Sequence, residues 1–436
     1  MQKKQNSTGL VWFRNNLRVQ DNYVLNEAIK NHKRTIAVYC FDPRDFETDK
    51  FGFKKTDKFR AKFLIETVQD LKSNLKVLNI ELFIFFELPE RCLPKLISEY
   101  QVTHIYLQKE WTSEEVTVFS DLKKVVSTDV IFNTYYDQFL HHPYDVDMPF
   151  SDIPQVFTNF RKHAEKQSDI RLSVINNPSE PIDTIKNKTQ IPKLEDLGFN
   201  DFETHINSAF PFKGGESEAT KRLNNYFFET KKLGFYKKTR NGLIGTDFSS
   251  KFSPWLANGS ISARTIYWQI KTFEKEHYKN QSTYWLIFEL IWRDYFKYIS
   301  LKHGNSIFKI GGILKKEYKW NNDKDLVQKW IKGETKSSFV NANMIELKKT
   351  GWMSNRGRQN VASFFSKDLK LDWRIGAAYF ESLLIDYDVH SNYGNWMYVS
   401  GVGNDPRDRK FNVKLQAERY DGNRKFQKLW LQETLF

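Results

Sequence analysis

Short apolar runs alternate with amphipathic stretches over the first 140 residues of the chain. The runs have strand length and are rich in β-branched and aromatic residues, and the stretches between them carry apolar residues at helical spacing. The strand candidates are 9–13, 35–41, 80–86, 103–107 and 129–134, and the helix candidates lie near 21–31, 58–75, 89–100 and 114–125. This alternation predicts a parallel, doubly wound α/β sheet. No Gly-x-Gly-x-x-Gly follows the first run, so the fingerprint of a dinucleotide site is missing.

The pattern changes after residue 140. Residues 141–210 are polar and repeatedly interrupted by proline, which predicts a long surface connector with one helix near 154–167. The remaining chain has helical periodicity near 216–230, 262–276, 283–301, 323–332, 341–349, 357–366 and 374–385. The sequence therefore predicts three parts: an α/β domain over 1–140, a connector over 141–210 and an all-α domain over 211–436.

Charge and tryptophan are concentrated in the second half of the chain. Residues 1–200 contain 28 Lys and Arg against 28 Asp and Glu, whereas residues 201–436 contain 39 against 25, which accounts for the net charge of +14. Ten of the 12 tryptophans also lie there. A basic, aromatic half is typical of proteins that bind a polyanion and stack on it. A lysine-rich composition bias with solvated helix surfaces explains the charge equally well.

The two cysteines, Cys40 and Cys92, cannot form a disulfide framework, and neither lies in a metal-ligand spacing. Both lie in apolar runs, so we interpret them as packing residues in a protein of a reducing compartment. No segment approaches the length of a membrane span, and the first apolar run begins too early for a signal peptide. We expect a cytoplasmic protein without a membrane or metal site.

Residues 350–398 combine three tryptophans, an amide–arginine surface and two close carboxylates. Asn355 and Gln359 are four apart and would share one face of a helix. In chain order the residues concerned are Trp352, Asn355, Arg356, Arg358, Gln359, Trp373, Asp386, Asp388, Asn392 and Trp396. A single tryptophan is more often a core residue, and an Asp pair can simply end a helix. Together they favour a pocket for a large planar, partly anionic ligand.

A loop rich in Gly and Ser precedes this segment, over residues 239–262. It offers the hydroxyls of Ser249, Ser250 and Ser253 and the cation of Lys251, which are groups that hold a diphosphate near a helix start. Taken alone, a capped Ser/Gly turn is the commoner meaning of such a loop.

Residues 284–296 form an apolar helix candidate that is interrupted by charged residues. A buried charge is costly unless it is paired, and Glu289 has Arg293 four residues later. One interpretation is therefore a salt bridge on a core helix. The other gives Glu289 to a ligand and Arg293 to a phosphate.

Several motifs in order resemble those of the cryptochrome/photolyase family, specifically its DASH branch, and the resemblance covers nearly the whole chain. The motifs are WFRNNLR (12–18), FDPR (41–44), GFKKTDKFRAKFL (52–64), TRNGLIGTDFSSKFSPWLANG (239–259), STYWLIFELIWRDYF (282–296), GWMSNRGRQNVASFF (351–365), LDWR (371–374), DYDVHSNYGNW (386–396) and GVGNDPR (401–407).

The resemblance implies that the helical domain holds FAD in a U shape. The residues that match cofactor-binding positions are Tyr236, Ser249, Ser250, Lys251, Phe252, Ser253, Arg293, Trp352, Asn355, Arg358, Asp386, Asp388 and Asn392. Trp396, Trp373 and Trp320 match an electron-transfer chain that photoreduces the flavin. Glu115 matches the acid that binds a 5,10-methenyltetrahydrofolate antenna.

The resemblance also implies an enzyme, a deoxyribodipyrimidine photo-lyase. Blue light would drive an electron from reduced FAD to a cyclobutane pyrimidine dimer that is flipped out of its strand. Glu289 would hydrogen-bond the dimer. The residues that match the pocket or DNA-contacting positions are Asn355, Gln359, Trp292, Tyr398, Arg240, Arg356 and Gln416.

Two positions refine the expected substrate. Photolyases for (6-4) photoproducts carry histidines where this chain has Asn355 and Gln359, which argues against that chemistry. Tyr398 stands where photolyases acting on duplex DNA have a second tryptophan, so weaker stacking favours single-stranded DNA, with looped duplex or RNA as further candidates. We expect a monomer.

Some residues depart from the family pattern. Asn16 replaces an acid. Residues 336–338 and Asn341 stand where the family has a Thr-Gly-x-Pro, Val-Asp-Ala pattern.

The alternative function is a blue-light photoreceptor that binds DNA or RNA and regulates without repair. A flavoenzyme that uses a nicotinamide is disfavoured, because the dinucleotide fingerprint is missing.

Overall fold

A computed structural model describes residues 5–178 and 187–432. The first part of the chain forms a five-stranded sheet in which every neighbouring pair is parallel, in the order β3-β2-β1-β4-β5. Its strands are β1 (Gln5–Phe13), β2 (His32–Cys40), β3 (Leu82–Phe85), β4 (Val102–Gln108) and β5 (Ile131–Tyr135). Its helices are α1 (Tyr23–Asn31), α2 (Lys58–Val77), α3 (Pro89–Glu99) and α4 (Ser113–Val125). The predicted doubly wound α/β sheet is confirmed.

Alternate residues of the central strands supply a separate apolar core on each face of the sheet. Val11 and Phe13 belong to the core under α1 and α2, whereas Leu10 and Trp12 belong to the core under α3 and α4. This division follows from the two-residue period of a strand. The carboxyl ends of the strands face the helical part of the protein.

The predicted connector contains one α-helix, α5 (Phe157–Gln167), and a short 3-10 turn at Phe150–Asp152, and otherwise has no regular structure within its described residues. Phe157 and Phe160 of α5 join the core of the helical part. The connector is therefore packed rather than free at this point. The boundaries at residues 140 and 210 stay a prediction.

The second part is all-α, as predicted. Its helices are α6 (Glu216–Asn224), α7 (Tyr236–Thr239), α8 (Ser253–Ala257), α9 (Ala263–Glu276), α10 (Gln281–His303), α11 (Lys324–Lys332), α12 (Ser338–Thr350), α13 (Asn355–Ser363), α14 (Trp373–Leu383), α15 (Val389–Ser400), α16 (Val413–Tyr420) and α17 (Lys425–Gln432). Short π turns continue α6 and α13, and 3-10 turns lie at Pro43–Phe46, Lys232–Phe235 and Gly304–Phe308. None of the described helices combines the length and apolar character that a membrane crossing requires.

A buried ionic network fastens the two parts to each other. Asp137, which follows β5, accepts hydrogen bonds from Arg18 of the first part (2.6 Å) and from Arg264 of α9 (2.7 Å). Arg264 also contacts Asp21 (3.0 Å), and both Asp21 and Asp137 are almost fully buried. This arrangement fixes the carboxyl edge of the sheet against the helices.

The two departures from the family pattern have local explanations. Asn16 is fully buried, and its side-chain oxygen accepts the backbone N–H of Arg14 (3.0 Å). Asn341 accepts from the backbone and the hydroxyl of Thr335 (2.8 and 2.6 Å) and donates to the Thr335 carbonyl (2.9 Å). An asparagine can thus close the loop before α12 without an acid.

Candidate active site

A cavity of about 100 Å³ lies among α13, α14, α15 and the loop that joins the last two. Its polar lining comes mainly from the segment that the sequence singled out. The lining residues are Asn355, Arg358, Gln359, Ala362, Phe380, Leu384, Asp386, Tyr387, Asp388, Ser391, Asn392, Asn395, Trp396 and Val399. We refer to it as the inner cavity. It brings together seven of the predicted flavin, dimer and electron-transfer positions: Asn355, Arg358, Gln359, Asp386, Asp388, Asn392 and Trp396.

Helix α13 presents the amides and arginines of this cavity. Ser354 caps the helix by accepting the backbone N–H of Gly357 (3.0 Å), which fixes the first turn. From that turn Asn355 and Gln359 face the cavity on one side of the helix. Arg356 donates to Gln359 (2.9 Å) and to Asn241 of the Ser/Gly loop (3.0 Å), so it orients the amide rather than lining the cavity.

The two predicted carboxylates have different partners. Asp386 pairs with Arg358 (2.9 Å), and its other oxygen, Oδ1, is buried without a hydrogen-bond partner in the described chain. Asp388 pairs with Lys297 (2.8 Å) and caps α15 through the backbone N–H of Ser391 (2.8 Å). Burial raises the pKa of Asp388, but the charge of Lys297 outweighs it and lowers the pKa well below its usual range. Asp388 therefore stays ionised.

Helix α15 carries Asn392 and Trp396 into the cavity. Asn392 donates to the carbonyl of Ala377 on α14 (3.0 Å), which leaves its side-chain oxygen for other partners. The indole of Trp396 lies directly over Gly376, where a Cβ atom would come within 2.2 Å of its ring. The absence of a side chain at Gly376 therefore lets α14 and α15 approach closely enough to place the indole beside the cavity.

The three tryptophans of the predicted electron chain differ in their burial, and one of them lines the inner cavity. Trp396 lines it, Trp373 is fully buried on α14, and Trp320 is partly exposed. A backbone hydrogen bond from Asn321 to Lys370 (2.6 Å) holds the Trp320 segment next to the start of α14. Trp330, which the sequence did not single out, lies with its ring 6.3 Å from that of Trp396. The route of an electron stays a prediction.

The predicted diphosphate loop lies beside the inner cavity and does not line it. Lys251 is buried, adopts a left-handed backbone (φ 65°), and its Nζ stands 4.6 Å from the ring of Trp352 with no hydrogen-bond partner in the described ranges. Burial lowers the pKa of Lys251 to about 7, against the opposing effect of Glu346. An unpaired buried cation of this kind fits an anion supplied by a ligand.

The other residues of this loop take part in its framework. Arg222 of α6 donates to the carbonyls of Ser249 (3.1 Å) and Ser250 (3.2 Å). Ser250 and Phe252 are buried, Ser253 is exposed at the start of α8, and Tyr236 is buried at the start of α7. Arg222 thus holds the loop backbone in place, and nothing in the sequence around it suggested this function.

Of the two interpretations of Glu289, the salt bridge with Arg293 is not the one that forms. Glu289 pairs instead with Arg240 (2.5 Å), which directly follows α7, and burial raises the pKa of Glu289 despite that charge. Arg293 donates to the carbonyls of Gln138 (2.6 Å) and Leu256 (3.0 Å) and faces a different cavity. Spacing along one helix could not reveal the competing partners, because they come from distant segments.

The remaining predicted DNA contacts form two groups, Trp292 with Tyr398 and Arg356 with Gln416. Phe157 of the connector stacks on Trp292 at 3.6 Å with the planes 10° apart, and Tyr398 meets the same ring edge-on at 5.9 Å. The Tyr398 hydroxyl contacts Arg409 (2.5 Å). Gln416 lies 3.5 Å from Arg356. Phe157 was missed by the sequence, and it fixes the orientation of the indole.

A larger cavity, of about 540 Å³, lies between the carboxyl edge of the sheet and the helical part. We refer to it as the outer cavity. Its lining includes Arg14, Glu110, Glu115 and Lys297. Burial raises the pKa of Glu115 to about 7, and its Oε2 atom has no hydrogen-bond partner among the described residues. The sequence indicated Glu115 but not its neighbour Glu110.

The donors and acceptors of the inner cavity fit FAD. Several buried polar atoms near it lack a protein partner within the described chain: Asp386 Oδ1, Lys251 Nζ, Trp352 Nε1, Glu346 Oε2 and Trp396 Nε1. Buried polar groups in a folded protein are normally satisfied, so this cluster indicates a polar ligand. A cation beside the Ser/Gly loop and an amide–carboxylate cavity match a diphosphate joined to a planar heterocycle.

Comparison with known proteins identifies the family of this chain. Residues 9–182 match the family model described as DNA photolyase, and residues 285–435 match the FAD binding domain of DNA photolyase. The proteins named Cryptochrome DASH from Gloeobacter violaceus and Danio rerio are 45% and 46% identical over 98% of this chain, which covers 86% and 83% of their lengths. A crystal structure of a Synechocystis cryptochrome has a TM-score of 0.94 at 43% identity, over 99% of this chain and 90% of that one. The chain therefore belongs to the DASH branch of the FAD-binding cryptochrome/photolyase family.

Proposed function

We propose that this protein uses FAD and blue light to repair cyclobutane pyrimidine dimers, chiefly in single-stranded DNA. The observation that carries the proposal is that one cavity contains members of both sets of residues. Asn355 and Gln359, assigned to the dimer, line the same inner cavity as Asp386 and Asn392, assigned to the flavin. A donor and an acceptor bound there would be in contact, as a light-driven electron transfer requires.

Bound FAD in its reduced state would supply the photoexcited electron that opens the cyclobutane ring. The protein residues would orient the bound groups and exclude water from the site. Arg358 and Asp386 form an ion pair (2.9 Å) that would hold the polar edge of the ring system. Lys251 would meet the diphosphate, and Asn392, fixed by its bond to Ala377 (3.0 Å), would present its oxygen to the flavin.

On the DNA side, Glu289 would hydrogen-bond the dimer and Trp292 would stack on it. The indole of Trp292 is held on one face by Phe157, so it is already oriented for stacking. Tyr398 offers a smaller ring than a second tryptophan would. Since a dimer in a duplex must first break its stacking, a single-stranded substrate is favoured. Arg240, Arg356 and Gln416 would contact the strand.

We further propose that the outer cavity holds a 5,10-methenyltetrahydrofolate antenna. The fit rests on Glu115, whose buried carboxyl has an unsatisfied oxygen and a raised pKa, and on Glu110 beside it. A carboxyl group in this setting suits the amino and ring N–H groups of a pterin. We propose that the protein acts as a monomer. We also propose a cytoplasmic location, since Cys40 and Cys92 are free thiols although their sulfur atoms lie only 3.4 Å apart.

The test is repair of a UV-irradiated oligothymidine by the reduced, FAD-loaded protein under blue light. We expect dimers to disappear in the light and persist in the dark, with much faster repair of the single strand than of the same dimer in a duplex. Light-induced change of the flavin with persistence of the dimers would contradict repair and support the photoreceptor function. Equal rates on both substrates would contradict the single-strand preference.

A further inference from the structure

The inner and outer cavities share one wall. Within the described chain, Tyr387 and Asp388 are the residues that line both. Each cavity is otherwise lined by its own set of residues. A change at this wall would therefore be felt on both sides.

The Lys297–Asp388 ion pair lies in that wall. Lys297, on α10, lines the outer cavity, and Asp388 lines both. The side chains are only 4% and 11% exposed, at 2.8 Å separation. Since Asp388 also caps α15, it determines where the helix that carries Asn392 and Trp396 begins.

A second set of contacts reaches the same helix from the α/β domain. Trp111 stacks on His390 in the first turn of α15, at 4.6 Å and 20°. Its Nε1 donates to Ser300 (2.8 Å), and the Ser300 hydroxyl also contacts Nδ1 of His390 (2.7 Å). Trp111 directly follows Glu110 of the outer cavity. The start of α15 is thus held by Asp388, which lines both cavities, and by the contact of Trp111 with His390, which lines the outer one.

We propose that Lys297 is a positioning residue that couples the two cavities, so that a ligand in the outer cavity tightens FAD binding in the inner one. Each ligand would exclude water from one side of the same ion pair and so strengthen it. A firmer Lys297–Asp388 pair fixes Asp388 and the first turn of α15 for the flavin. By thermodynamic reciprocity, FAD must tighten binding in the outer cavity by the same factor.

The proposal rests on the assignment of FAD and folate in the proposed function. Its test titrates the full-length, flavin-free protein with FAD, with and without saturating 5,10-methenyltetrahydrofolate. We expect the folate to lower the Kd of FAD by about fivefold or more, the size of an ordinary coupling between sites. Lys297→Met should abolish this factor, and Lys297→Arg should retain it. The fine structure of the flavin absorption band should respond to folate in the unmodified protein and not in Lys297→Met.

The outcomes separate the two assignments. If FAD fails to bind the unmodified protein, the proposed function is contradicted. If the folate fails to bind, only the antenna assignment is contradicted. The coupling falls in either case. If both bind with affinities that ignore each other, the coupling alone is contradicted. Should Lys297→Met not fold, Trp111→Phe serves instead, since it keeps a ring against His390 but removes the bond to Ser300. A folate effect in Trp111→Phe as large as in the unmodified protein would overturn the role of this contact set.

Discussion

Glu289 is the side chain on which the proposed repair chemistry depends most directly. Its carboxylate is held by Arg240 at 2.5 Å and is still 28% exposed at the side chain, so it can reach a bound dimer. Loss of a hydrogen bond to a charged group costs about 1.5–3 kcal/mol. We therefore expect Glu289→Ala to lower the repair rate by roughly ten- to hundredfold, while the bound FAD, measured by absorption, stays unchanged.

The chain offers a matched control for this substitution. Arg161 and Glu165 form a similar pair at 2.8 Å, with side-chain exposures of 21% and 30% against 21% and 28% for Arg240 and Glu289. Glu165→Ala should leave repair unchanged. An equal loss of repair in both variants would assign the effect to general destabilisation and remove Glu289 from the mechanism.

The buried amine of Lys251 should make the affinity for FAD depend on pH. Burial lowers the pKa of Lys251 to about 7 in the flavin-free protein. A bound diphosphate would favour the charged amine and raise that pKa, so binding takes up a proton above pH 7. The affinity for FAD should then fall as pH rises above 7, by up to about tenfold per pH unit until the pKa of the complex is reached.

The measurement is an FAD titration of the flavin-free protein between pH 6 and 9. Lys251→Met, which keeps most of the volume without the charge, should bind FAD more weakly at pH 6 and show a flatter pH profile. The same slope in that variant would assign the proton to another group, such as Glu346, whose pKa burial raises to about 8.

At this scale the sequence identified the residue types better than their partners. Asp386, Asn392 and Trp396 do share one cavity, as the segment predicted. The sequence left the partner of Glu289 open, and the partner is Arg240, which lies 49 positions away rather than on the same helix. Lys297 and Arg222 were missed since an isolated cation in a helix is usually solvated surface.

At the scale of elements, α15 is the main helix that the sequence pattern did not predict. The stretch from Val389 to Ser400 alternates small, polar and aromatic residues, and its buried positions fall on more than one side of the helix. No single apolar face is available for a periodicity argument. The helix is specified instead by its ends, with Asp388 as the N-cap and Gly401 in a left-handed conformation after the last turn.

The contact between α14 and α15 depends on Gly376. A Cβ atom there would lie 2.2 Å from the Trp396 ring, so Gly376→Ala should push the helices apart and destabilise the protein by about 1–3 kcal/mol. The free energy of unfolding in urea measures this, and FAD affinity should fall with it.

The control is the double variant with Trp396→Phe, whose smaller ring removes the clashing atoms. We expect Gly376→Ala to be tolerated better in that background, with a non-additive free energy of unfolding. Additive effects would show that the glycine acts through the helix itself rather than through the indole.

Trp396 also begins the proposed electron chain from the flavin to the surface. Trp396→Phe should abolish photoreduction of oxidised FAD, because Phe is far harder to oxidise, yet spare repair by chemically reduced protein. Light-induced bleaching of the flavin bands in the variant measures the first effect and dimer loss the second. Normal bleaching would indicate another route.

At the scale of the whole molecule, the two parts are joined by a buried ionic network that no local pattern indicated. The network consists of Arg18, Asp21, Asp137 and Arg264. Its bonded members lie up to 243 positions apart in the chain, and each looks like an ordinary charged residue in its own stretch. The sequence predicted a sheet and a helical domain, but not how they meet. Their relative position decides the shape of the outer cavity, which contains residues of both.

Asp137 is the centre of that network, and its removal tests what the network does. Asp137→Ala would leave Arg18 and Arg264, at 2% and 6% side-chain exposure, without their shared partner. Breaking a buried pair in this way costs about 3–5 kcal/mol, because the desolvated charges stay behind. We expect this variant to unfold at a lower urea concentration than the unmodified protein. We also expect the substitution to weaken folate binding more than FAD binding, since the outer cavity spans both parts.

Asp121→Ala is the control, because its pair with Lys124 is comparably short (2.7 Å) but 70% exposed at the lysine and 32% at the aspartate. A surface pair contributes at most about 1 kcal/mol, so this variant should unfold almost as the unmodified protein does. If both variants lost the same stability, burial of the network would not be what makes it matter. If Asp137→Ala lost stability yet bound folate normally, the helices and sheet would be held in register by their apolar contacts instead.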